Sequence, residues 1–382
     1  MSLSTIVPAA HLTGSAAPPS GGGGAVGRTA AAAVVVNTRF TLNRVTGVQR
    51  YAHEVLARLP AGVGTAAPAR RFGGGMKGHL WEQAALPARV GGRLLFSPAN
   101  SGPLAVRRQV VTVHDASLFD RPECFSRAYG AWGRWLMPRL VRRVRRVITV
   151  SAFSKARIVA NCGVDPDRIV VIPNGVDARF APPQPDAVAA VRDRLGLGRP
   201  YLLAVGSVEP RKNLGRLLEA WDAVRRRHSG VELAIAGGTA AIYDKVDAAR
   251  ADQPGVRWLG YVADADLPAL YAGAVAAVYP SLYEGFGLPV LEAMACGTAV
   301  VASNATAVPE VTGGDESAGG AAVEVDPADV ESIAAGIERV VDDAALRARL
   351  VAAGRTRAAG YRWDDIAAET WRVLAAAVAE DE

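Results

Sequence analysis

Short apolar runs rich in Val, Ile and Leu alternate along this chain with longer segments whose apolar residues recur every three or four positions. The short runs predict β-strands, which we place at 32–36, 94–97, 109–113, 146–150, 169–172, 201–205, 231–236, 256–260, 275–279, 298–302 and 321–325. The longer segments predict amphipathic helices, among them 48–59, 212–227 and 363–379. Strands and helices in alternation favour parallel sheets covered on both faces, so we expect the α/β class.

The length of 382 residues exceeds one ordinary hydrophobic core and predicts two domains. A Pro-rich stretch followed by a Gly-rich stretch within 181–199 predicts the linker between them. Residues 1–30, rich in Ala, Gly, Ser and Pro, predict a flexible tail. We therefore place an N-terminal Rossmann-like domain at 31–190 and a C-terminal one at 191–360. Ligands of such domains bind beyond the carboxyl ends of the strands, so the function should lie in a cleft between the two sets of loops.

The segment VGSVEPRKNL, residues 205–214, follows a predicted strand and opens a helix. Gly206 and Ser207 allow the backbone to approach a ligand, and Arg211 and Lys212 stand at the start of the helix. Unpaired N–H groups and the positive end of the helix dipole favour an anion at this place. With two added cations the segment predicts a pyrophosphate site. The alternative is a solvated basic turn on the surface.

A second segment, 279–303, runs from a buried strand through the loop EGFG, residues 284–287, into a helix opened by Pro289. Glu292 is expected in the first turn of this helix, so two carboxylates eight residues apart can face one ligand above the strand ends. A carboxylate accepts hydrogen bonds from two sugar hydroxyls, and N–H groups around the glycines suit a phosphate or a sugar. The alternative is a surface loop followed by a helix-dipole contact.

Together these motifs resemble those of the family 4 retaining glycosyltransferases, which have the GT-B architecture of two doubly wound Rossmann-like domains facing across a cleft. The E-x7-E pattern is met by Glu284 and Glu292, and the EPRKN pattern by residues 209–213. The resemblance covers about residues 32–375, and it implies that a C-terminal helix within 361–382 crosses back onto the N-terminal domain. It also implies that the domain at 31–190 lies on the acceptor side and that the domain at 191–360 binds the nucleotide-sugar. The TGVQRY and VHD stretches are similar to those of bacterial mannosyl or rhamnosyl transferases that build polysaccharides on lipid-linked acceptors.

The resemblance also implies roles for the matched residues. Arg211 and Lys212 would neutralise the departing diphosphate. Glu284 would hold hydroxyls of the donor sugar, and Glu292 those of the ribose. His114, in the stretch VVTVHDASLF, would lie beside the transferred sugar, with hydrogen bonding at a strand end as the alternative. The implied catalytic residues are His114, Arg211, Lys212 and Glu284.

Further contacts to the donor are expected mainly from backbone groups. Gly47 begins the first long helix, whose N-terminus would meet the donor phosphates from the opposite wall, and Arg50 is a weaker candidate for the same charge. Many relatives carry an Arg at the position of Ser207. Base contacts would come from the loops at Gly237–Gly238 and Tyr261–Val262. The expected donor-binding residues are Gly47, Ser207, Val262, Gly285, Phe286, Gly287 and Glu292.

Retention without an enzymic nucleophile implies front-face attack, in which a phosphate oxygen takes the proton of the acceptor. No Asp-x-Asp motif is expected at a strand end, so we predict no metal and no cofactor besides the nucleotide-sugar substrate. GDP-mannose is the first choice of donor, with UDP-glucose and other UDP- or dTDP-sugars as alternatives, and a glycan or lipid-linked glycan is the expected acceptor. A nucleotide-sugar epimerase and a non-catalytic glycan-binding protein of the same fold are the rival hypotheses.

Charge is divided unequally between the halves of the chain. Residues 1–190 carry 24 Lys and Arg against 9 Asp and Glu, whereas the remainder carries 19 against 28. A basic stripe at helical spacing predicts contact with an anionic membrane surface, or else a solvated face. Its members are Arg139, Arg142, Arg143 and Arg146. No aromatic platform or nucleic-acid motif accompanies this charge, so nucleic acid is not an expected partner.

The remaining compositional signals concern the compartment. The three cysteines are widely spaced and form neither a metal-binding pattern nor a disulfide framework. No apolar run approaches the ~20 residues of a membrane span, and the N-terminus lacks the basic and apolar pattern of a secretory leader. We therefore expect a cytoplasmic protein whose only membrane contact is peripheral, at the inner face.

Overall fold

A computed structural model describes residues 30–43, 45–238 and 253–380. The predicted tail at 1–30 lies outside the described residues except for its last position. Two six-stranded parallel sheets organise the described chain. Separate hydrophobic clusters lie on the two faces of each sheet. These sheets confirm the predicted α/β class and the pair of Rossmann-like units.

The first sheet belongs to the N-terminal half. Its strands are β1 (Val34–Asn37), β2 (Gly64–Ala66), β3 (Leu94–Ser97), β4 (Gln109–Thr112), β5 (Arg146–Thr149) and β6 (Ile169–Val171). The helices around it are α1 (Gly47–Arg58), α2 (Gly75–Ala84), α3 (Leu86–Val90), α4 (Ser117–Asp120), α5 (Arg127–Val141) and α6 (Ala152–Cys162). The strand order is β2-β1-β3-β4-β5-β6, so the chain reverses its direction across the sheet between β1 and β3.

The second sheet belongs to the C-terminal half. Its strands are β7 (Tyr201–Val205), β8 (Glu232–Ala236), β9 (Val256–Gly260), β10 (Ala276–Tyr279), β11 (Val300–Ser303) and β12 (Val323–Val325). Its helices are α7 (Pro185–Arg194), α8 (Leu214–Arg227), α9 (Leu267–Ala272), α10 (Leu288–Ala295), α11 (Val308–Thr312), α12 (Val330–Asp342) and α13 (Ala344–Ala358). The order β12-β11-β10-β7-β8-β9 reverses between β10 and β7, and a crevice opens at such a reversal because the loops that follow the two strands diverge.

The last helix, α14 (Trp363–Ala379), packs against α1 and the first sheet. Trp363, Ile366 and Leu374 are buried in one cluster with Tyr51 of α1. The end of the chain therefore completes the core of the N-terminal half. At 17 residues α14 is the longest helix of the described chain, where no helix is both long enough and apolar enough to cross a membrane.

The chain passes between the halves twice, and the two passages touch each other. Val176, on the way to the second sheet, forms an isolated parallel β-bridge with Arg362, on the way back. The N–H of Val176 donates to the carbonyl of Tyr361 at 2.8 Å. A Cβ on the neighbouring Gly175 would lie 2.7 Å from the ring of Trp363, so only glycine permits this close approach. The two connections therefore form one joint.

Every predicted strand is present, with its ends within two residues of the predicted ones. One strand was missed, the three-residue β2, which has the sequence GTA. This strand lies at the edge of its sheet and lacks the apolar run that identifies the others. The helix predicted at 212–227 begins at Leu214, because 210–212 forms a 3₁₀ turn.

The predicted arginine stripe is wrong as a single helical face. α5 ends at Val141, so only Arg139 lies in the helix. Arg142 caps α5, and Arg143 follows in a turn. Arg146 opens β5, where its guanidinium pairs with Glu380 at 2.5 Å. Pairing of residues 146–149 with the neighbouring strands fixes them as extended chain, which overrides the helical spacing of the arginines.

Candidate active site

The loops that follow β4 and β5 in the first half meet the loop that follows β10 in the second half. The hydroxyl of Ser151 donates to the carbonyl of Gly285 at 2.7 Å. The Ser154 hydroxyl lies 3.1 Å from the carbonyl oxygens of both Gly285 and His114. Ser151 also caps α6 by accepting the N–H of Ser154. Ser154, after β5, therefore bridges the backbone of the residues predicted after β4 and β10.

Glu284 lies beside the two cations of the first motif. Lys212 Nζ is 2.6 Å from Glu284 Oε1, and Arg211 Nη1 is 3.3 Å from Glu284 Oε2. Lys212 also donates to the hydroxyl of Tyr279 at 3.0 Å. The three charged groups come from the loops after β7 and β10, the strands between which the sheet reverses. This is the crevice in which a doubly wound sheet binds its ligand.

The turn that carries the cations is anchored from both sides. Asn213 adopts a left-handed conformation with φ of 61°, and its amide donates to the carbonyls of Pro280 and Pro327 at 2.9 and 2.6 Å. Arg211 Nε donates to Glu209 at 2.6 Å, and the hydroxyl of Ser207 also donates to Glu209. Burial raises the pKa of Glu209, but these partners outweigh it and bring the pKa below its ordinary value. Glu209 therefore stays charged and holds Arg211 in place.

Glu292 lies away from that cluster and has different partners. It occupies the second turn of α10, not the first as predicted, because the helix starts at Leu288. Its Oε1 accepts from Arg50 at 3.0 Å, and its Oε2 accepts from the Tyr271 hydroxyl at 3.3 Å. Burial raises the pKa of Glu292 to about 7 although Arg50 opposes this shift. Glu292 is thus a carboxyl that titrates near neutral pH.

Arg50 connects the two halves of the molecule. Besides Glu292, its guanidinium contacts Asp264 at 3.0 Å and lies 5.8 Å from the centre of the Phe180 ring. The residue predicted as a weak phosphate contact therefore pairs with carboxylates of the opposite half.

The prediction that no Asp-x-Asp motif binds a donor metal stays a prediction, because the sequence does hold an Asp-x-Asp pattern. Asp264 and Asp266 form one, beginning four residues after β9. Their carboxylates pair with separate arginines, Asp264 with Arg50 and Asp266 with Arg194, the latter at 2.5 Å. Within 30–43, 45–238 and 253–380 no three His, Cys, Asp or Glu side chains come together as a metal site.

His114 is buried at the carboxyl end of β4. Its backbone N–H donates to the side-chain oxygen of Asn100 at 2.8 Å, and its ring Nε2 lies 3.0 Å from the carbonyl of Pro98. Burial lowers the pKa of the imidazole below its ordinary value despite the Pro98 contact, so the ring is neutral. The ring of Tyr51 packs edge-on against it at 4.8 Å. His114 is held as a rigid, uncharged hydrogen-bonding group.

The predicted donor-binding residues of the loops fall into two groups. Gly47 is the first residue of α1, and a Cβ there would lie 3.3 Å from Leu288 of the opposite half. Gly287 caps α10 with φ of 115°, a conformation that favours glycine. By contrast, the side chains of Phe286 and Val262 are buried in the apolar core of the second half. Any contact from these two residues must therefore come from their backbone. The predicted base loop at Gly237–Gly238 is described only up to its second residue.

Two further residues at the cleft were not identified from the sequence. Glu310 of α11 accepts the N–H groups of Ala152 and Phe153 at 2.8 and 2.7 Å, so a carboxylate of one half occupies the N-terminus of α6 in the other. Thr306 adopts φ of 63°, and its hydroxyl accepts the N–H of Glu284 at 3.1 Å. Neither residue belongs to a sequence pattern that points to the cleft.

Comparison with known proteins matches both halves of the chain. The sequence model of the group 1 glycosyl transferases matches residues 190–357, and that of glycosyltransferase family 4 matches residues 93–180. The chain is 34% identical over 273 residues to O-antigen chain mannosyltransferase B of Escherichia coli, a match that spans 70% of each protein. It is 35% identical over 247 residues to the MMP α-(1→4)-mannosyltransferase of Mycolicibacterium hassiacum, spanning 64% of this chain and 57% of that relative.

Solved structures resemble the fold over most of its length. Anabaena Alr3699/HepE, crystallised in complex with UDP-glucose, superposes with a TM-score of 0.73 at 19% identity, covering 90% of this chain and 99% of the other. At that identity the similarity establishes the fold alone, and the family follows from the sequence matches. The chain belongs to the family 4 glycosyltransferases and has the GT-B fold.

Proposed function

We propose that this chain is a retaining hexosyltransferase that moves mannose from GDP-mannose to a glycan or lipid-linked glycan, without a metal ion. The observation that carries the proposal is the contact of Lys212 and Arg211 with Glu284 at the reversal point of the second sheet. Mannose is supported by the names of the two relatives described above. The UDP-glucose of the structural neighbour makes UDP-glucose the alternative donor.

In the absence of donor, the two cations are paired with Glu284 and Glu209. We expect a bound diphosphate to take over Lys212 and Arg211, since phosphate oxygens are strong acceptors for both side chains. Glu284 is then released to accept hydroxyls of the transferred sugar. Glu292, away from that cluster, accepts the ribose hydroxyls. Binding of the diphosphate thus prepares Glu284 for the sugar.

The reaction needs no nucleophile from the protein. The acceptor oxygen forms a bond to the anomeric carbon on the face from which the diphosphate leaves, as the bond from that carbon to the phosphate oxygen breaks. The acceptor proton passes to the departing phosphate oxygen. Lys212 and Arg211 stabilise the negative charge that develops there, while neutral His114 stays beside the sugar without repelling a positively charged transition state.

Donor identity is testable by thermal unfolding with GDP, UDP, dTDP and ADP. A ligand present at 100 times its dissociation constant stabilises the folded protein by about 2.7 kcal/mol. We expect GDP to raise the unfolding temperature most. A larger shift with UDP would replace GDP-mannose by the alternative donor and leave the transferase proposal intact.

The reaction class is testable with donor, a panel of mannose-containing acceptors and EDTA. We expect nucleoside diphosphate release that depends on the acceptor, an α-anomeric product by proton NMR, and unchanged rates in EDTA. Epimerised donor without release would indicate an epimerase, and tight glycan binding without either product a binding protein. Loss of activity in EDTA that added Mg²⁺ restores would refute metal independence alone.

We further propose a peripheral contact between the α5 region and an anionic bilayer. Arg139, Arg142 and Arg143 are exposed although they do not share one helical face, and Trp135 next to them is 44% exposed. Each basic residue near an anionic surface contributes about 1 kcal/mol. Sedimentation with phosphatidylglycerol vesicles should therefore be weakened by joint Arg142→Glu and Arg143→Glu substitution. The matched pair Arg226→Glu and Arg227→Glu in the other half should sediment like the parent, and equal loss from both pairs would refute the contact.

A further inference from the structure

Tyr283, the residue immediately before Glu284, is buried where the two halves of the molecule meet. It is 3% exposed, yet among the described residues it lies outside both apolar clusters of the second sheet. Its ring packs edge-on against the ring of Phe153 in α6, with the ring centres 5.5 Å apart. Tyr283 is therefore covered in part by the N-terminal half.

The hydroxyl of Tyr283 donates to Asp120 Oδ2 at 3.0 Å. Asp120 ends α4, which follows His114 in the segment after β4. This hydrogen bond therefore joins the segment of His114 to the loop of Glu284. Because its acceptor is a carboxylate, it is stronger than a hydrogen bond between two neutral groups.

Asp120 is held in place and kept charged by its own half. Arg157 donates to its two carboxylate oxygens at 2.9 and 2.5 Å, and the amide of Asn161 donates at 3.2 Å. Burial raises the pKa of Asp120, but these donors and Tyr283 outweigh it and hold the pKa below its ordinary value. Burial also raises the pKa of the Tyr283 hydroxyl, so this group stays protonated. Tyr283 is therefore the donor and Asp120 the acceptor at neutral pH.

Glu284 is held relative to the cations by contacts within the second half. Its carboxylate contacts Lys212 and Arg211, and its N–H donates to the hydroxyl of Thr306 at 3.1 Å. The N–H of Leu282 donates to the carbonyl of Arg211 at 2.8 Å. None of these contacts fixes Glu284 relative to the N-terminal half, because all of them come from the second half.

The residues on either side of Glu284 supply the contacts to the N-terminal half. Gly285 follows it and accepts from Ser151 and Ser154 through its backbone carbonyl. Tyr283 precedes it and reaches the N-terminal half through its side chain. A backbone carbonyl is present in every residue, whereas the contact of Tyr283 requires a hydroxyl at the end of an aromatic ring. The side chain of Tyr283 is therefore the part of this contact that the sequence specifies.

Accepting the transferase function proposed above, we infer that Tyr283 is a positioning residue whose bond to Asp120 sets Glu284, and with it the transferred sugar, against the N-terminal half. Tyr283 acts through Glu284 and adds nothing to the binding of the diphosphate, which the two cations hold within the second half. Transfer of the sugar thus depends on this bond between the halves, whereas binding of the nucleoside diphosphate does not.

Tyr283→Phe tests the inference, because it removes the hydroxyl and keeps the ring against Phe153. We expect kcat with GDP-mannose and a mannose-containing acceptor to fall about tenfold, a loss comparable to one hydrogen bond. The calorimetric dissociation constant for GDP should stay unchanged. UDP-glucose and UDP take the place of this pair if UDP gives the larger thermal shift. An unchanged kcat, or weaker binding of the nucleoside diphosphate, would overturn the inference.

Tyr201→Phe is the matched control. It also removes a buried tyrosine hydroxyl, but this hydroxyl donates to the carbonyl of Leu270 at 2.7 Å within the second half. Tyr201→Phe should therefore keep the kcat of the parent protein even if its stability falls. Equal losses of kcat in Tyr201→Phe and Tyr283→Phe would show a general effect of a lost hydroxyl and would overturn the inference.

Two double-mutant cycles test whether the effect passes through the named partners. Asp120→Ala should lower kcat at least as much as Tyr283→Phe, and Tyr283→Phe added to it should cause no further loss. Tyr283→Phe added to Glu284→Gln should likewise cause no further loss, because the residue that it positions is already altered. Losses that multiply independently in either cycle would overturn the inference.

Urea unfolding separates the inference from the transferase proposal, because it needs no turnover. Tyr283→Phe and Asp120→Ala should lower the free energy of unfolding by less in combination than the sum of their separate losses. Additive losses would refute the bond itself. If the parent protein transfers no sugar from either donor, the proposed function fails and with it the role of Tyr283 in transfer, while non-additive unfolding still supports the bond between the halves.

Discussion

Glu284 and Glu292 stand eight residues apart in one motif, yet they are neutralised from opposite halves of the molecule. Glu284 is paired by Lys212 and Arg211, which belong to the same sheet unit. Glu292 is paired by Arg50, which comes from the N-terminal half. The difference teaches that the cation cluster around Glu284 is assembled within one domain, whereas the environment of Glu292 depends on how the two halves are placed.

The largest expected effect concerns Lys212, which pairs with Glu284 inside the C-terminal domain. Lys212→Ala removes a cation from the leaving group and should lower turnover by about 10²–10³, the usual cost of losing one such charge contact. Steady-state kinetics with donor and acceptor measures the loss, and circular dichroism checks the fold. Lys77→Ala in α2, which carries no assigned contact to the donor, is the control. If Lys212→Ala turns over as fast as the unsubstituted protein, Lys212 does not stabilise the leaving group.

The next prediction concerns the contact between the halves. A Cβ on Gly285 would lie 2.7 Å from the carbonyl oxygen of His114 and 2.8 Å from the Cβ of Asp115. Gly285→Ala must therefore push the two walls apart, and a shift of about 1 Å at reacting groups costs up to 10²-fold. We expect kcat/KM to fall about tenfold. Gly198→Ala, where an added Cβ meets no atom within 4 Å, should have no effect. Equal rates for both variants would contradict the contact.

A smaller effect is expected from the ion pair of Arg50 and Glu292, which joins the two halves. Arg50→Met removes the partner of a buried carboxyl, and we expect the free energy of unfolding to fall by about 1–2 kcal/mol in urea titrations. The double variant with Glu292→Gln should recover part of this loss, since neighbouring groups are not additive. Arg58→Met, in the same helix but pairing with exposed Asp364, should change stability by about 0.5 kcal/mol or less. If the losses of unfolding free energy in Arg50→Met and Glu292→Gln simply add in the double variant, the two side chains do not interact. Glu292 would then not be paired from the other half.

The smallest predicted effect is a pH dependence of nucleotide binding. Because burial raises the pKa of Glu292 to about 7, its carboxyl ionises between pH 6 and 8. In the function proposed above, it is the ionised form that accepts both ribose hydroxyls. GDP should bind severalfold more tightly at pH 8 than at pH 6. Glu292→Gln should retain only the pH dependence that belongs to the phosphate itself. Identical calorimetric profiles for the two proteins would exclude Glu292 as the cause.

Ionisation of Glu292 has the opposite effect on folding, because it lowers the stability of the folded protein as the pH rises. A carboxyl whose pKa is higher in the folded than in the unfolded protein favours folding while it is protonated. This contribution is fully present below the ordinary pKa of 4.5 and is lost as the pH rises to about 7. Glu292 thus reduces stability over the pH range in which we expect its ionised form to bind the ribose.

The sequence predicted the elements of the fold because strands and helices are local patterns. β7 and β10 of the second sheet illustrate this, since each is an apolar run bounded by a turn or a loop. The arginines after Pro138 show the limit. Their spacing fits a helix, but pairing of β5 with strands distant in sequence determines where the helix ends.

The candidate site was predictable where its chemistry is carried by a motif, as with Lys212 and Glu284. It was not predictable where two halves meet. Arg50 and Glu292 are separated by 242 positions, and Ala152 and Glu310 by 158. No pattern within either segment indicates such a pair, because it arises from the placement of one sheet against the other.

The paired connections at Val176 and Arg362 have a mechanical consequence. Two separate tethers would let the halves slide, twist and part independently, whereas tethers bonded to each other leave rotation about one line as the softest relative movement. We expect scattering measurements with and without GDP to differ by such a rotation, and identical profiles would argue against it. A movement with a single axis brings the same atoms back together on each closure, so the register of the two walls is restored at every turnover.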